Sequence, residues 1–129
     1  MKLEFVNNVN KAIGFSLIDA ERLVRLYDFD TAQPALLLNA IQQTIIEEQQ
    51  PLNLGELSFI KPVNCNMILA VSDEDTGIAY IGKNTFVCSL TLESFKKMTT
   101  LIQPFTKKTN GYQWLYELDN DIDFLFSPG

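Results

Sequence analysis

The sequence predicts an α+β fold: about three N-terminal helices, then a mostly antiparallel sheet of about six strands, with one further helix before a C-terminal hairpin. Three observations favour this class. Up to about residue 50, apolar residues recur at intervals of three and four, the period of an amphipathic helix. From residue 57 onward, short strand-like runs are separated by turn-forming residues. Helices and strands thus occupy separate parts of the chain, which is typical of α+β proteins.

Length and composition are those of one folded domain spanning residues 1–129. The chain is 47% hydrophobic and 20% charged, close to the averages of globular proteins, so disorder is not expected. No apolar run approaches the roughly 20 residues that span a bilayer. Asn7, Asn8 and Lys11 interrupt what would be the apolar core of a signal peptide. We therefore expect a cytoplasmic protein without membrane association.

Two helices are predicted in the first 27 residues. Over 2–13, Phe5, Val9, Ala12 and Ile13 form a helical stripe that Gly14 ends. A second helix is predicted over about 17–27, because the residues before it have the spacing of a capping box and an apolar stripe follows.

A third helix is predicted up to Pro51. Asp30 or Thr31 can cap its start, and Pro34 fits its first turn, where a missing N–H costs little. Its apolar stripe consists of three residues four positions apart: Leu37, Ile41 and Ile45.

Four strands and a helix are predicted before the C-terminal hairpin. The strands are the runs 57–60, 66–71, 78–81 and 85–90, and the turns between the last three indicate an antiparallel meander. Thr91 can cap the helix that follows, and Pro104 marks its end. The buried face of this helix is predicted to consist of Phe95, Met98 and Ile102.

The terminal segment 112–126 is predicted to form a hairpin whose register follows from its side chains. A three-residue loop at 119–121 pairs Tyr116 with Phe124 and Trp114 with Phe126, which places every large residue on one face. Aromatic residues on one face of a sheet are typical of a core packed against helices.

The other face of this hairpin is acidic. The same register sets Glu117 directly across from Asp123, an arrangement that destabilises a sheet by roughly a few tenths of a kcal/mol. Asp119 and Asp121 lie at the tip of the hairpin. The repulsion could be relieved by a lysine just before the hairpin, Lys107 or Lys108, or by a cationic partner.

The sequence lacks the residues that several kinds of catalytic and cofactor site require. The chain has no histidine, which excludes Ser-His-Asp and Cys-His catalysis, and its six glycines form no phosphate-binding loop. Cys65 and Cys88 are expected to be buried free thiols, because their spacing fits neither a metal site nor a disulfide framework. We expect no cofactor and no metal. The sequence does not decide whether the protein is an enzyme, although these gaps favour a non-enzyme.

A second group of acids, Asp73, Glu74 and Asp75, lies in the turn SDEDTG. Its spacing does not match a calcium-binding loop, so a hairpin tip is the favoured interpretation. Lys96 and Lys97 are interpreted as solvent-exposed residues on a helix face, and no function is assigned to them.

Charge predicts the kind of partner. The net charge is −6, and residues 112–129 contain four acids and no base, so nucleic acid is disfavoured and a basic protein is attracted. We therefore expect a protein-binding module of inhibitor, immunity or adaptor type. The predicted contact residues are the acids of the hairpin and of the SDEDTG turn: Glu117, Asp119, Asp121, Asp123, Asp73, Glu74 and Asp75.

Two alternatives remain open. One is a small-molecule-binding domain or small enzyme with a pocket between helices and sheet, lined by residues such as Tyr80 or Tyr112. The other, compatible with either function, is a homodimer joined through an exposed sheet edge.

Overall fold

Two mixed β-sheets frame the protein in the computed structural model, which describes residues 1–7, 22–117 and 122–129. Within these ranges there are nine strands and two α-helices. The strands are β1 (Lys2–Asn7), β2 (Arg22–Tyr27), β3 (Leu52–Asn53), β4 (Lys61–Pro62), β5 (Asn66–Val71), β6 (Gly77–Gly82), β7 (Thr85–Leu90), β8 (Gln113–Tyr116) and β9 (Asp123–Ser127). The helices are α1 (Ala32–Ala40), which continues as a π-helix over Ile41–Glu47, and α2 (Leu92–Ile102).

The first sheet has the strand order β4-β1-β2-β9-β8, and the second has the order β3-β5-β7-β6. Each sheet contains both parallel and antiparallel neighbours: β2 is parallel to β9 and β5 is parallel to β7, whereas β1–β2, β8–β9 and β6–β7 are antiparallel. The class is therefore α+β, but the prediction of one mostly antiparallel sheet is wrong.

The N-terminal segment forms strands where two helices were predicted. Lys2–Asn7 and Arg22–Tyr27 pair with each other as β1 and β2, and the remainder of both predicted helices, 8–21, lies outside the described residues. In β1, Leu3 and Phe5 alternate with Lys2 and Glu4 and point to the core. This two-residue period was concealed because Phe5 also fits the three- and four-residue spacing of the predicted helix. In β2, Leu23 is buried in the smaller cluster on one face while Val24 and Leu26 are buried in the main core on the other, so no simple alternation was visible.

The predicted meander is wrong in one of its two pairings: β6 and β7 are antiparallel neighbours as predicted, but β5 does not pair with β6. The strands 66–71 and 85–90 are neighbours and run parallel, while the strand between them in sequence lies at the edge beyond β7. Residues 57–60 form turns instead of a strand, with the Ile60 N–H donating to the carbonyl of Leu57 at 3.0 Å. Their apolar side chains pack on the core without a ladder partner.

Both helices that the structure describes were predicted, together with their buried faces. Asp30 is the residue that caps α1: its Oδ1 accepts from the Ala32 N–H at 2.8 Å, and the Gln33 Oε1 accepts from the Asp30 N–H at 3.0 Å. The stripe is buried, since Leu37, Ile41 and Ile45 are at most 1% exposed. None of the helices within the described ranges is long and apolar enough to cross a membrane.

The start of α2 is capped as predicted, because the Thr91 Oγ1 accepts from the Ser94 N–H at 3.2 Å. Its inward face is fully buried and consists of Phe95, Met98 and Ile102. The helix packs against β8 and against the π-helical turn after α1, and so fixes the position of the C-terminal strand pair.

One main apolar cluster contains buried residues from both sheets and both helices. Phe5 of β1 and Phe86 of β7 join the two sheets, with ring centroids 4.9 Å apart. Cys65 and Cys88 are buried free thiols, as predicted, and burial raises the pKa of each to about 12. They therefore remain protonated and unreactive at neutral pH.

Candidate functional site

The register of the C-terminal strand pair agrees with the prediction at one position and then shifts. Tyr116 pairs with Phe124 as predicted, but Trp114 pairs with Leu125, and Phe126 lies opposite Gln113. One extra residue, Leu115, is thus inserted into β8, which is the pattern of a β-bulge.

The bulge moves Trp114 to the opposite face of the sheet. Its indole ring packs on a second, smaller cluster of Val6, Leu23 and Leu125, and it is half-buried, whereas Phe124 and Phe126 face the main core. The prediction that every large hairpin residue shares one face is therefore wrong for Trp114. A one-residue insertion reverses the facing of all side chains beyond it, and no Gly or Pro in β8 signals where it falls.

A cavity of about 330 Å³ lies between α2, β8 and the turn before β6. Its charged, hydroxyl and aromatic lining residues are Asp75, Ser94, Lys97, Trp114, Tyr116 and Glu117. The fold thus brings together one acid from each of the two predicted acidic segments, Asp75 and Glu117, in a lining that also includes Trp114. We call this site the acidic concavity.

Asp75 is held in place by the N-terminus of α2. Its Oδ1 accepts from the Thr91 N–H at 2.7 Å and its Oδ2 accepts from the Ser94 hydroxyl at 2.7 Å. These hydrogen bonds lower the pKa of Asp75 below its ordinary value, and the bond from the Thr91 backbone N–H has the largest effect. The prediction that SDEDTG is a hairpin tip is wrong, because the strands it joins, β5 and β6, are not neighbours in the sheet. The turn instead contributes a second cap to α2 and a fixed negative charge to the acidic concavity.

The other two acids of this turn, Asp73 and Glu74, are exposed beside Asp75. The turn itself is anchored to the last two residues of β7. The Ser72 N–H donates to Leu90 O at 2.9 Å, and the Thr76 N–H donates to Ser89 O at 3.0 Å. Within the described ranges, no three Cys, Asp or Glu side chains are close enough together to hold a metal ion.

Glu117 and Asp123 lie close enough to interact. Glu117 is exposed and Asp123 is half-buried on β9. Burial raises the pKa of Asp123, and the negative charge of Glu117 raises it further. Asp119 and Asp121, the predicted tip residues, lie outside the described residues.

Lys97 lies beside Glu117 in the lining of the acidic concavity, and relief of the repulsion by Lys107 or Lys108 remains a prediction. Lys97 lines the acidic concavity, whereas the Lys108 ammonium lies over the ring of Phe105, 4.9 Å from its centroid. The ion pairs recorded among the described residues are Lys2 with Asp28 at 3.2 Å and Arg25 with Glu4 at 2.7 Å, so none of them neutralises Glu117 or Asp123.

Sequence reasoning missed Ser94 and Lys97 as members of the site. Both lie on the α2 surface, where a helix-face lysine and a cap serine are ordinary solvated residues. The link between Asp75 and α2 joins residues 16 and 19 positions apart, so no local pattern could have shown it.

The predicted alternative pocket, between helices and sheet, remains a prediction. Tyr80 and Tyr112 are 56% and 44% exposed. The cavity found beneath the helices is lined by apolar side chains and is too small to hold a water molecule. A second surface groove of about 560 Å³ separates the two helices, but its lining of amide, hydroxyl and leucine side chains has no charge.

Comparison with known proteins assigns no family: no protein-family model matches the chain, and no curated protein matches it.

Proposed function

We propose that the protein is a binding module, of inhibitor, immunity or adaptor type, that recognises a basic protein partner by accepting one of its cationic side chains in the acidic concavity. The observation that supports this most directly is the convergence of Asp75 and Glu117, from distant parts of the chain, on one cavity that Trp114 also lines.

The size and lining of the acidic concavity suit an arginine or lysine side chain. Its volume of about 330 Å³ is near the lower end of the range for ligand pockets, so it accommodates a side chain more readily than a large ligand. Carboxylates form charge-assisted hydrogen bonds with guanidinium groups, and aromatic faces attract cations.

The protein already contains this combination within its own fold. On β1 and β2, the Arg25 Nε and Nη2 donate to the Glu4 Oε1 at 2.9 and 2.7 Å, and the guanidinium stacks over the Tyr27 ring at 3.9 Å. In the acidic concavity the two acids are present and Trp114 belongs to the lining, and among the described residues the cationic side chain that lines it is Lys97 on the rim helix. A partner's cation would compete with Lys97, which makes this lysine a determinant of affinity.

Electrostatics favours the same partner. The net charge of −6 accelerates encounter with a basic protein, and the effect weakens with added salt. A cation bound near Glu117 would also offset the mutual repulsion of Glu117 and Asp123, and so return the pKa of Asp123 toward its ordinary range.

The proposal is tested with an arginine-rich peptide as the probe and a matched acidic peptide as its counterpart, followed by NMR at low and at physiological salt. We expect the Trp114 indole N–H signal to shift with the arginine-rich peptide alone. Glu117→Gln should weaken binding about 10-fold, the scale of one charge-assisted contact.

The matched control is Glu56→Gln, which makes the same change of charge at an exposed glutamate on the short helix 54–56. Equal losses for Glu117→Gln and Glu56→Gln would show that only net charge is recognised and would refute the acidic concavity as the site. Lys97→Gln should strengthen binding, and a loss of binding in that variant would also count against the proposal.

A further inference from the structure

Strand β6 forms an edge of the second sheet, and this edge is unusually unprotected. The strand pairs with β7 on one side, and in the described part of the chain no strand pairs with its other side. Its sequence, GIAYIG, contains no charged residue and no proline, the two residue types that most often prevent an edge strand from pairing with another chain.

The strand also exposes apolar side chains. Ala79 is exposed, and Tyr80 and Ile81 are 56% and 59% exposed, the highest values among the large hydrophobic residues that the structure describes. A bulge between Tyr80 and Gly82 interrupts the ladder with β7. The regular part of the strand that remains is short, so any contact through it is limited in area.

Opposite charges lie just beyond the two ends of β6. Asp73 and Glu74 precede the strand, Lys83 follows it, and all three are exposed. Two such strands placed antiparallel bring the Lys83 end of one beside the acidic end of the other, and the two-fold axis creates this contact twice. A parallel arrangement would instead place like charges together. Because β6 itself carries no charge, the paired strands add no direct charge repulsion between two copies with a net charge of −6.

We propose that β6 is a homodimerisation edge, which pairs antiparallel with β6 of a second copy and joins the two four-stranded sheets into one. In such a pairing the exposed side chains of the strand, Ala79, Tyr80 and Ile81 of each copy, lie close to those of the other. A strand of this length spans about 20 Å and buries well below the roughly 1,600 Å² of a standard interface. The dimer is therefore weak and its population depends on concentration.

The first experiment is analytical ultracentrifugation of the full chain from about 10 µM to about 1 mM, a range that brackets a weak dimer. We expect the weight-average mass to rise toward that of the dimer. Ile81→Lys should hold the protein monomeric throughout. Leu36→Lys is the matched control, since Leu36 is also half-exposed, lies on α1 and undergoes the same change of size and charge. Wild type that stays monomeric to the highest concentration, or a dimer that Ile81→Lys leaves intact, overturns the proposal.

The second experiment uses the charges at the strand ends. Lys83→Glu alone and Glu74→Lys alone should each weaken the dimer, and an equal mixture of the two variants should restore it, because each mismatched end then meets an opposite charge. Asp75 is left unchanged because it caps α2. A mixture no more dimeric than either variant alone would refute the antiparallel arrangement.

This inference is independent of the proposed function. Ile81→Lys should leave binding of the arginine-rich peptide unchanged, and Glu117→Gln should leave the dimer unchanged.

Discussion

The side-chain amide of Asn64 forms both hydrogen bonds that a neighbouring strand would give to Phe5. Its Oδ1 accepts from the Phe5 N–H at 2.8 Å, and its Nδ2 donates to the Phe5 carbonyl at 2.9 Å. The short ladder between β4 and β1 ends with the Val63 N–H donating to Leu3 O at 2.8 Å, so the amide extends it by one residue. A side chain thus replaces backbone at the edge of the first sheet.

Asn64→Ala should lower the free energy of unfolding by about 1 kcal/mol, the net value of one or two partly exposed hydrogen bonds. Chemical denaturation followed by Trp114 fluorescence measures the change. Asn110→Ala, at an exposed asparagine for which no side-chain hydrogen bond is recorded, is the control and should change stability by less than about 0.5 kcal/mol. Equal effects at the two sites would mean that the Asn64 amide contributes nothing.

Gly55→Ala should destabilise the protein by about 1–3 kcal/mol, because a methyl group there would overlap the Asn66 Oδ1. The amide of Asn66 cannot simply rotate away. Its Oδ1 accepts from the N–H groups of Gly55 and Met67, both at 2.8 Å, and its Nδ2 donates to the Asn53 Oδ1 at 2.7 Å. In an Asn66→Ala background the same glycine substitution should cost much less. Additive effects in this double-mutant cycle would show that the clash is not the cause.

Asp75→Asn should destabilise the protein at neutral pH, and the difference from wild type should shrink in acid. The pKa of Asp75 is lowered in the folded state, so its contribution is present above the ordinary carboxyl pKa and is lost as the pH falls through the folded value. Because the group is exposed, solvent screening keeps the effect to about 1 kcal/mol or less. Thermal unfolding at several pH values tests this, and a difference that grows on acidification would contradict it.

Asp123→Asn should have the opposite signature and stabilise the protein at neutral pH. The pKa of Asp123 is raised in the folded state, so the unfolded state loses this proton first as the pH increases, and stability falls through that interval. We expect a gain of roughly a few tenths of a kcal/mol above the interval and none below it. Glu117→Gln removes the charge of Glu117, which raises the pKa of Asp123 less than burial does, and should therefore reproduce part of the gain in stability. Loss of stability in both variants would mean that the two acids are held by cations.

Trp114→Ala should cost much less than Phe126→Ala. The predicted register placed both rings in the core, but the bulge leaves Trp114 half-buried on the smaller cluster while Phe126 is 0% exposed. We expect about 3–5 kcal/mol for Phe126→Ala and roughly half of that for Trp114→Ala. Equilibrium denaturation followed by circular dichroism compares them, and equal costs would support the register without a bulge.

Elements with local signals were predictable from the sequence. The stripe of Leu37, Ile41 and Ile45 and the Thr91 cap depend on residues within one or two turns, and both are present. The turn between β6 and β7 has both central residues, Lys83 and Asn84, at positive φ, as a tight two-residue hairpin needs.

The other elements depended on pairing between strands that are distant in sequence, which the spacing of apolar residues does not show. Leu23 is paired with Asp123, 100 positions later, and this partner, with β1 on the other side, makes a strand of a segment that also fits a helix. Of the candidate site, the acids were predictable as residues, but their convergence was not. It required the bulge at Leu115 and the anchoring of Asp75 on α2.

The parallel pairing of β2 with β9 also constrains the order in which the protein can fold. Strand β9 is the last in sequence, yet it lies between β2 and β8 inside the first sheet. While the chain is being synthesised, β2 must wait for about 100 further residues before its second neighbour exists, and pairing over such a separation forms slowly. Until then an apolar strand edge is unpaired, a condition that favours aggregation of partly folded chains.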